Sequence, residues 1–486
     1  MNDRFILLAA AVAKGVALGF GLAWLFKDER MIDCSKEIDA FYIDKVALPE
    51  SMKSEMRDRR NANRDRLSRG MDNRGITPIG IWSQGSYAMH TMVQAENNDF
   101  DIDDGVYFKK EDLADEYGIE LTPCEAKEMV RDAVNHHGLK FEPEVKENCV
   151  RVTYDKGYHI DIPVYRAINF GRDGEYYELA STPGWKESNP RAVTQWFVDA
   201  VIEKSPDETN GRQMRRVVRL LKDFVKSKAS VDTAIPSGFI ISKLVEEKYE
   251  PHEDRDDKAL FFTMDSIRSR LLDGLVVRHP VLDENLTIGA NDPMTASFRD
   301  MLSEAIDQLQ VLFETDSIDE ALDAWGSVFQ QEQYFSNLVK STGTMGGDSD
   351  IGPLVTWRKT EEFIEDRCSI DIQYHLVIDC EVHRNGMRQS LLAMLTKGYK
   401  ISSNQKLIFK IVKCNVPEPF TIKWKVLNRG AEARARDCIR GQIENSNKLN
   451  NRRSETALFR GDHRVICYAL RDDVVVASDG IDVPIL

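Results

Sequence analysis

Three acidic residues and one small turn carry the chemistry this chain is able to do. Asp101 and Asp103 stand two apart inside NDFDIDDGVYF, where Phe100, Ile102, Val106 and Phe108 predict a strand over 100–108. Residues two apart on a strand share a face, so both carboxylates meet one site while Ile102 packs behind them. Clustered carboxylates are costly unless a cation neutralises them. A few carboxylate oxygens with open positions suit Mg²⁺ carrying nucleotide phosphates. Asp99 and Asp104 fall on the opposite face of a regular strand. Asp161, in Tyr158-His-Ile-Asp-Ile-Pro-Val-Tyr165, projects from an apolar strand and calls for either a salt bridge or a metal. Gln84-Gly85-Ser86-Tyr87 reads as a strand end leading into a helix. Glycine lets backbone N–H groups approach a phosphate, the serine adds a donor, and the helix start adds partial positive charge. Ser86 precedes Asp101 by 15 residues, and Asp161 lies 58 beyond Asp103. Together the pieces match two-metal nucleotidyl transfer, with Asp161 sharing the second ion.

Several elements must position these residues. Strands are expected at 80–84 and 100–108. A hairpin is expected over Val150–Tyr154 and His159–Val164, turning at Asp155-Lys156-Gly157. From Ile43, apolar Val46, Leu48, Met52, Met56 and Leu67 predict a long support helix, with Arg57, Arg60, Arg64 and Arg66 on a solvated face rather than on nucleic acid. Residues 110–137 follow helical spacing, and the chain reads mostly helical from Pro190 to about Val339. Within that stretch Arg215, Arg219, Lys222 and Lys226 form a basic stripe beside an apolar one, the pattern of a solvated face. Ser341–Pro353 (STGTMGGDSDIGP) is rich in Gly and Ser and reads as a linker. Beyond it the apolar period becomes two, as in Leu407–Val412, Phe420–Val426 and Val465–Leu470, predicting a small β-sandwich-like domain.

The chain has 486 residues and a net charge of −15, enough for two or three domains and too acidic for general nucleic-acid coating. Its eight cysteines form no CxxC pair, which disfavours a zinc finger or disulfide scaffold and suits a reducing cytoplasm. The histidines offer no zinc spacing, and no G-x-S-x-G or Walker signature appears. Residues 5–26 read FILLAAAVAKGVALGFGLAWLF, 22 residues with Lys14 as the only charge. That length can span a bilayer, although a central lysine costs about 2.5–3.5 kcal/mol. Residues 1–30 are thus either an inner-membrane tether with the body in the cytoplasm or an extension ahead of a start at Met31.

The motifs QGSYAMHT, DIDDGVY, HIDIPVY, SNPRAVTQWF, RRVVRLLKDF and IPSGFIISKLV resemble the cGAS/DncV-like nucleotidyltransferases of bacterial anti-phage signalling. The resemblance covers roughly 31–340 and implies an α+β fold, a polymerase-β-like core with a helical lobe. It implies two Mg²⁺ (or Mn²⁺) ions on Asp101, Asp103 and Asp161, and a triphosphate turn at Gln84, Gly85 and Ser86. It also places Lys222, with Ser237 beside it, near the phosphates and Arg151 near the acceptor nucleotide. ATP, GTP or other nucleoside triphosphates are the implied substrates, and a cyclic di- or trinucleotide read by a separate effector is the implied product. A linear oligonucleotide, nucleotidylation of protein or RNA, and an idle ligand-binding sensor are the alternatives. Residues 354–486 resemble the adenylyl/guanylyl-cyclase and SMODS-associated sensor domain, through Trp424-Lys-Val-Leu-Asn-Arg-Gly430, Ile439-Arg-Gly441 and Gly461-Asp-His463. There Trp424, Asn428, Arg440 and His463 are expected to line a pocket for an activating ligand.

Overall fold

The computed structural model describes residues 30–94, 101–115, 117–155, 157–207, 212–229, 233–343, 362–364, 367–370, 374, 376–384, 386–429, 432–433, 440–460, 462–471 and 474–485. The apolar segment 5–26 and residues 344–353 of the expected linker lie outside these. Among the described residues no helix is long and apolar enough to cross a membrane. The chain forms two compact units. One comprises Leu48–His90, Asp101–Arg215 and Ile351–Leu486, the other Met1–Ala47, Thr91–Phe100 and Arg216–Asp350.

The first unit is built on an eight-stranded mixed sheet. Helix α1 (Glu50–Asp72) leads to β1 (Gly80–Gln84), the single-turn α2 (Gly85–Ala88) and β2 (Asp101–Lys109). Helix α3 (Pro123–Val134) follows, then β3 (Glu144–Val145), β4 (Val150–Thr153), β5 (His159–Ile162), β6 (Val164–Ile168), β7 (Tyr176–Ser181) and β8 (Gly184–Glu187). The strand order is β3-β4-β5-β2-β6-β7-β8, with β1 also paired to β2. Ile102, Val106, Tyr107, Phe108, Ile160 and Val164 are fully buried, so the central strands carry apolar side chains on both faces. Tyr107 stacks on Tyr165 at 4.5 Å and meets the edge of Trp82 at 4.8 Å.

Helical spacing over 110–137 is only partly realised. A single 3-10 turn covers Lys110–Asp112, and α3 starts only at Pro123. The start is fixed by a capping box, in which Thr122 and Glu125 satisfy each other's backbone N–H, with proline at the first helical position. Nor is the arginine face of α1 wholly solvated. Arg64 donates to the buried Asp104 (Nε–Oδ2 2.7 Å), and Arg60 reaches the Ser83 hydroxyl at 3.0 Å. These arginines clamp α1 to β1 and β2.

In the second unit, helices Gly238–Lys248, Asp256–Asp273, Pro293–Gln308, Ile318–Phe329 and Glu332–Gly343 pack with most of α4 (Gln213–Ser227). The last of these helices takes in the first three residues of the expected linker. The basic stripe of α4 is buried rather than solvent-facing at Arg215, Arg219 and Lys222, as is the neighbouring Arg216, and only its Lys226 end is exposed. Arg216 pairs with Asp256 at 2.6 Å, Arg219 bonds the Tyr42 hydroxyl, and Lys222 bonds Thr91 Oγ1 at 2.8 Å. Each partner is remote in sequence, which is why periodicity alone points to water.

The C-terminal strands are β9 (Ser369–Ile370), β10 (Leu376–Arg384), β11 (Met387–Ser390), β12 (Lys406–Cys414), β13 (Thr421–Arg429), β14 (Ile443–Asn445), β15 (Arg453–Thr456), β16 (Asp462–Arg471) and β17 (Val474–Asp482). They form a four-stranded sheet β11-β10-β12-β15 and a five-stranded sheet β14-β13-β16-β17-β9. Ile378, Cys380 and Phe409 from one sheet and Trp424, Val426 and Cys467 from the other share a single core. This is the expected all-β layer pair.

Candidate active site

Strand register assembles the site. Strands β2 and β5 run parallel, with Asp101 opposite His159 and Asp103 opposite Asp161. Antiparallel β1 sets Gln84 opposite Asp103, and antiparallel β4 sets Arg151 opposite Asp161. One line across four strands therefore carries Gln84, Asp103, Asp161 and Arg151.

On this surface Asp101, His159 and Asp161 offer ligand atoms within 4.8 Å of one another. His159 Nε2 lies 3.9 Å from Asp101 Oδ2 and 3.9 Å from Asp161 Oδ2. The sequence reading missed His159. Its signal was present, because His159 and Asp161 are two apart on one strand and share a face. Burial raises the Asp101 carboxyl above its ordinary value, offset by His159 and reinforced by Asp161. Burial also drives Asp103 well up, and the adjacent charges of Asp101 and Asp161 push it further. Asp161 is gripped by Arg151 through two bonds, Nε–Oδ1 at 2.8 Å and Nη2–Oδ2 at 2.7 Å. Asp104, on the reverse face, behaves oppositely. Burial alone would raise it, but Arg64 outweighs that and holds it below the carboxylate range.

The Gly85 turn abuts this cluster. Gly85 has φ +62°, and a Cβ there would come within 2.3 Å of Asp103 Oδ2. Both the backbone conformation and the carboxylate beside it require glycine. Ser86 follows, half-buried, on a helix of a single turn. The Gln84 side chain turns into the core instead, donating to the Tyr165 hydroxyl at 2.8 Å. It anchors the turn from beneath.

Lys222 and Ser237 belong to the other unit, where they are neighbours. A Cβ on Gly238 would sit 3.3 Å from Lys222 Nζ, and the Ser237 hydroxyl caps the helix that follows by accepting from Ile240 N. In the C-terminal domain the four expected pocket residues are committed internally. Trp424 is fully buried and donates to Ser446, Asn428 bonds His463 Nδ1 at 2.9 Å, and Arg440 pairs with Glu455 at 2.9 Å.

The donor set fits a divalent cation. Three carboxylates crowd one another in a partly buried site, so an ion bound there removes the repulsion that raises two of them. Oxygen donors suit Mg²⁺, and an imidazole at the same place suits Mn²⁺ as well.

The chain is similar to known proteins in both its nucleotidyltransferase-matching and its C-terminal part. Residues 80–165 match the model of the cyclic GMP-AMP synthase DncV-like nucleotidyltransferase domain. Residues 358–486 match that of the adenylyl/guanylyl and SMODS C-terminal sensor domain. A cyclic GMP-AMP synthase from Escherichia albertii is 29% identical over 216 residues, 43% of this chain and 45% of that protein. The match thus spans less than half the length of that relative. Among solved structures, the Bradyrhizobium diazoefficiens CD-NTase CdnG in complex with GTP aligns with a TM-score of 0.50 and 16% identity, over 64% of this chain and 99% of that one. A mutant of the Vibrio cholerae di-nucleotide cyclase DncV in complex with ATP, GTP and 5MTHFGLU2 aligns with a TM-score of 0.50 and 18% identity, over 60% and 93%. At these identities the likeness shows a shared fold.

Proposed function

We propose that the chain, which matches the DncV-like nucleotidyltransferase model over 80–165 and the adenylyl/guanylyl and SMODS sensor model over 358–486, condenses nucleoside triphosphates into a cyclic di- or trinucleotide second messenger. The reading is carried by the register that aligns Asp103 with Asp161, and Asp101 with His159, beside the Gly85 turn. Asp101, Asp103 and Asp161 would hold two Mg²⁺ or Mn²⁺ ions, with His159 on the margin of the cluster. Such ions would neutralise the triphosphate and acidify the attacking ribose hydroxyl. Backbone N–H groups at Gly85 and Ser86 would receive phosphate oxygens, while Gln84 holds the turn in place through Tyr165. Arg151 now neutralises Asp161; once a cation takes over that role, its guanidinium would be free to meet the acceptor nucleotide.

In the same reading residues 31–340 are the catalytic part, 341–353 the linker and 354–486 the sensor for an unidentified activating ligand. The messenger would act on a separate effector in anti-phage defence. The test is incubation with Mg²⁺ and labelled nucleoside triphosphates, followed by phosphatase and mass spectrometry. A phosphatase-resistant product supports a ring, and a product that phosphatase trims marks a linear oligomer instead. Turnover that persists in Asp103→Asn removes the metal assignment.

A further inference from the structure

Helices α1 and α3 cross with backbone against backbone. A Cβ on Gly70 would stand 2.5 Å from Ala133 Cβ, so only glycine permits the approach. Past the crossing the two helix ends open into a pair of adjoining concavities of about 640 and 380 Å³, which share Asp132, Asn135 and His136. Arg66, Arg69 and Arg74 line the smaller, His137 and Lys140 the larger.

The groove is cationic on a chain whose net charge is −15. Two acids line it, Asp132 and Glu142. Asp132 is already held by Arg131 at 2.8 Å and more loosely by Arg74 at 3.9 Å, an exposed pair of little strength. Lys140 meets Asp155 at 3.2 Å with both side chains in solvent, a pairing of little strength. The surplus charge acts on its neighbours: His137, together with Arg66 and Arg69, lowers the His136 pKa below the imidazole value. Gly138 N–H donates to His136 Nδ1 at 2.9 Å, which leaves Nε2 to carry the outward proton. Flat rings accompany the charges. The His136 and His137 rings lie 4.0 Å apart, and Phe141 is 42% exposed with Lys140 over its face.

Basic residues in the last turn of a helix also serve the helix dipole. That role accounts for Arg69 and Arg131 but not for Lys140 or Phe141, which lie beyond α3. Charges on both walls of an open groove, interleaved with ring faces, are what single-stranded nucleic acid requires. We propose that this groove binds the backbone of a single-stranded oligonucleotide, at a site built from α1 and the α3–β3 segment.

The test is fluorescence anisotropy of the full chain with a labelled oligothymidylate of about 12 nucleotides, in chelator so that the carboxylate cluster stays idle. Four permanent cations predict a log–log salt slope near −3, or about 50-fold weaker binding from 50 to 200 mM salt. Arg69→Gln and Lys140→Gln, both at exposed positions, should each weaken binding about 3- to 10-fold with unchanged melting temperature. Failure to bind at low salt would overturn the proposal. So would undiminished binding by both variants, or equal competition by inorganic triphosphate or by a duplex of the same length.

Discussion

At the level of single residues, Asp103 shows why a charged cluster weakens a fold until something binds it. Its folded pKa is raised, first by burial and then by Asp101 and Asp161. A group raised in this way favours the fold below its unfolded pKa, and that contribution is lost as pH climbs through the folded value. Above that folded value, without divalent ions, the ionised cluster therefore destabilises the protein. Asp103→Asn should melt higher than wild type in chelator, and Mg²⁺ should raise the melting temperature of wild type more than that of the variant. A variant that melts lower in chelator would contradict the electrostatic account. His159 belongs to the same cluster, 3.9 Å from two carboxylates. His159→Gln should weaken Mn²⁺ binding by about 10-fold in calorimetric titration; unchanged affinity would place the imidazole outside the ion site.

At the level of elements, the crossing of α1 and α3 fixes where the long helix lies against the sheet. Gly70→Val would drive a branched side chain into Ala133 and should cost about 1–3 kcal/mol in urea unfolding. No change would mean the helices are not held at that point. The strands around the site were legible from short apolar and aromatic runs, since strands expected at 80–84, over 100–108 and in the two arms of the 150–164 hairpin are found at Gly80–Gln84, Asp101–Lys109, Val150–Thr153 and His159–Ile162. What such runs cannot supply is which strands become neighbours. Asp103 and Asp161 meet through a parallel pairing closed across 58 positions of sequence, and Arg151 reaches Asp161 only because β4 returns beside β5. The same limit hid the inward turn of Arg64, whose acid partner lies 40 residues away, and of Arg219 and Lys222, whose partners Tyr42 and Thr91 lie 177 and 131 residues away. A cation reads as solvated until the partner that buries it is known. His159 is a different case, because its two-residue spacing from Asp161 was visible.

At the level of the whole molecule, the chain carries its charges unevenly: an acidic total, a carboxylate cluster on one sheet and a cationic groove at the ends of two helices. The C-terminal domain has its own sandwich core, with Trp424 fully buried between the sheets. Trp424→Ala should remove about 3–5 kcal/mol from that domain and appear in calorimetry as an earlier, separate transition. A single unshifted transition would show that this core contributes little. The catalytic claim rests on three aspartates brought together by register, and product analysis tests it most directly. Wild-type chain with Mg²⁺ and the four labelled nucleoside triphosphates should release pyrophosphate and leave a phosphatase-resistant oligonucleotide, while Asp103→Asn makes neither. Pyrophosphate formed at the wild-type rate by Asp103→Asn would contradict it.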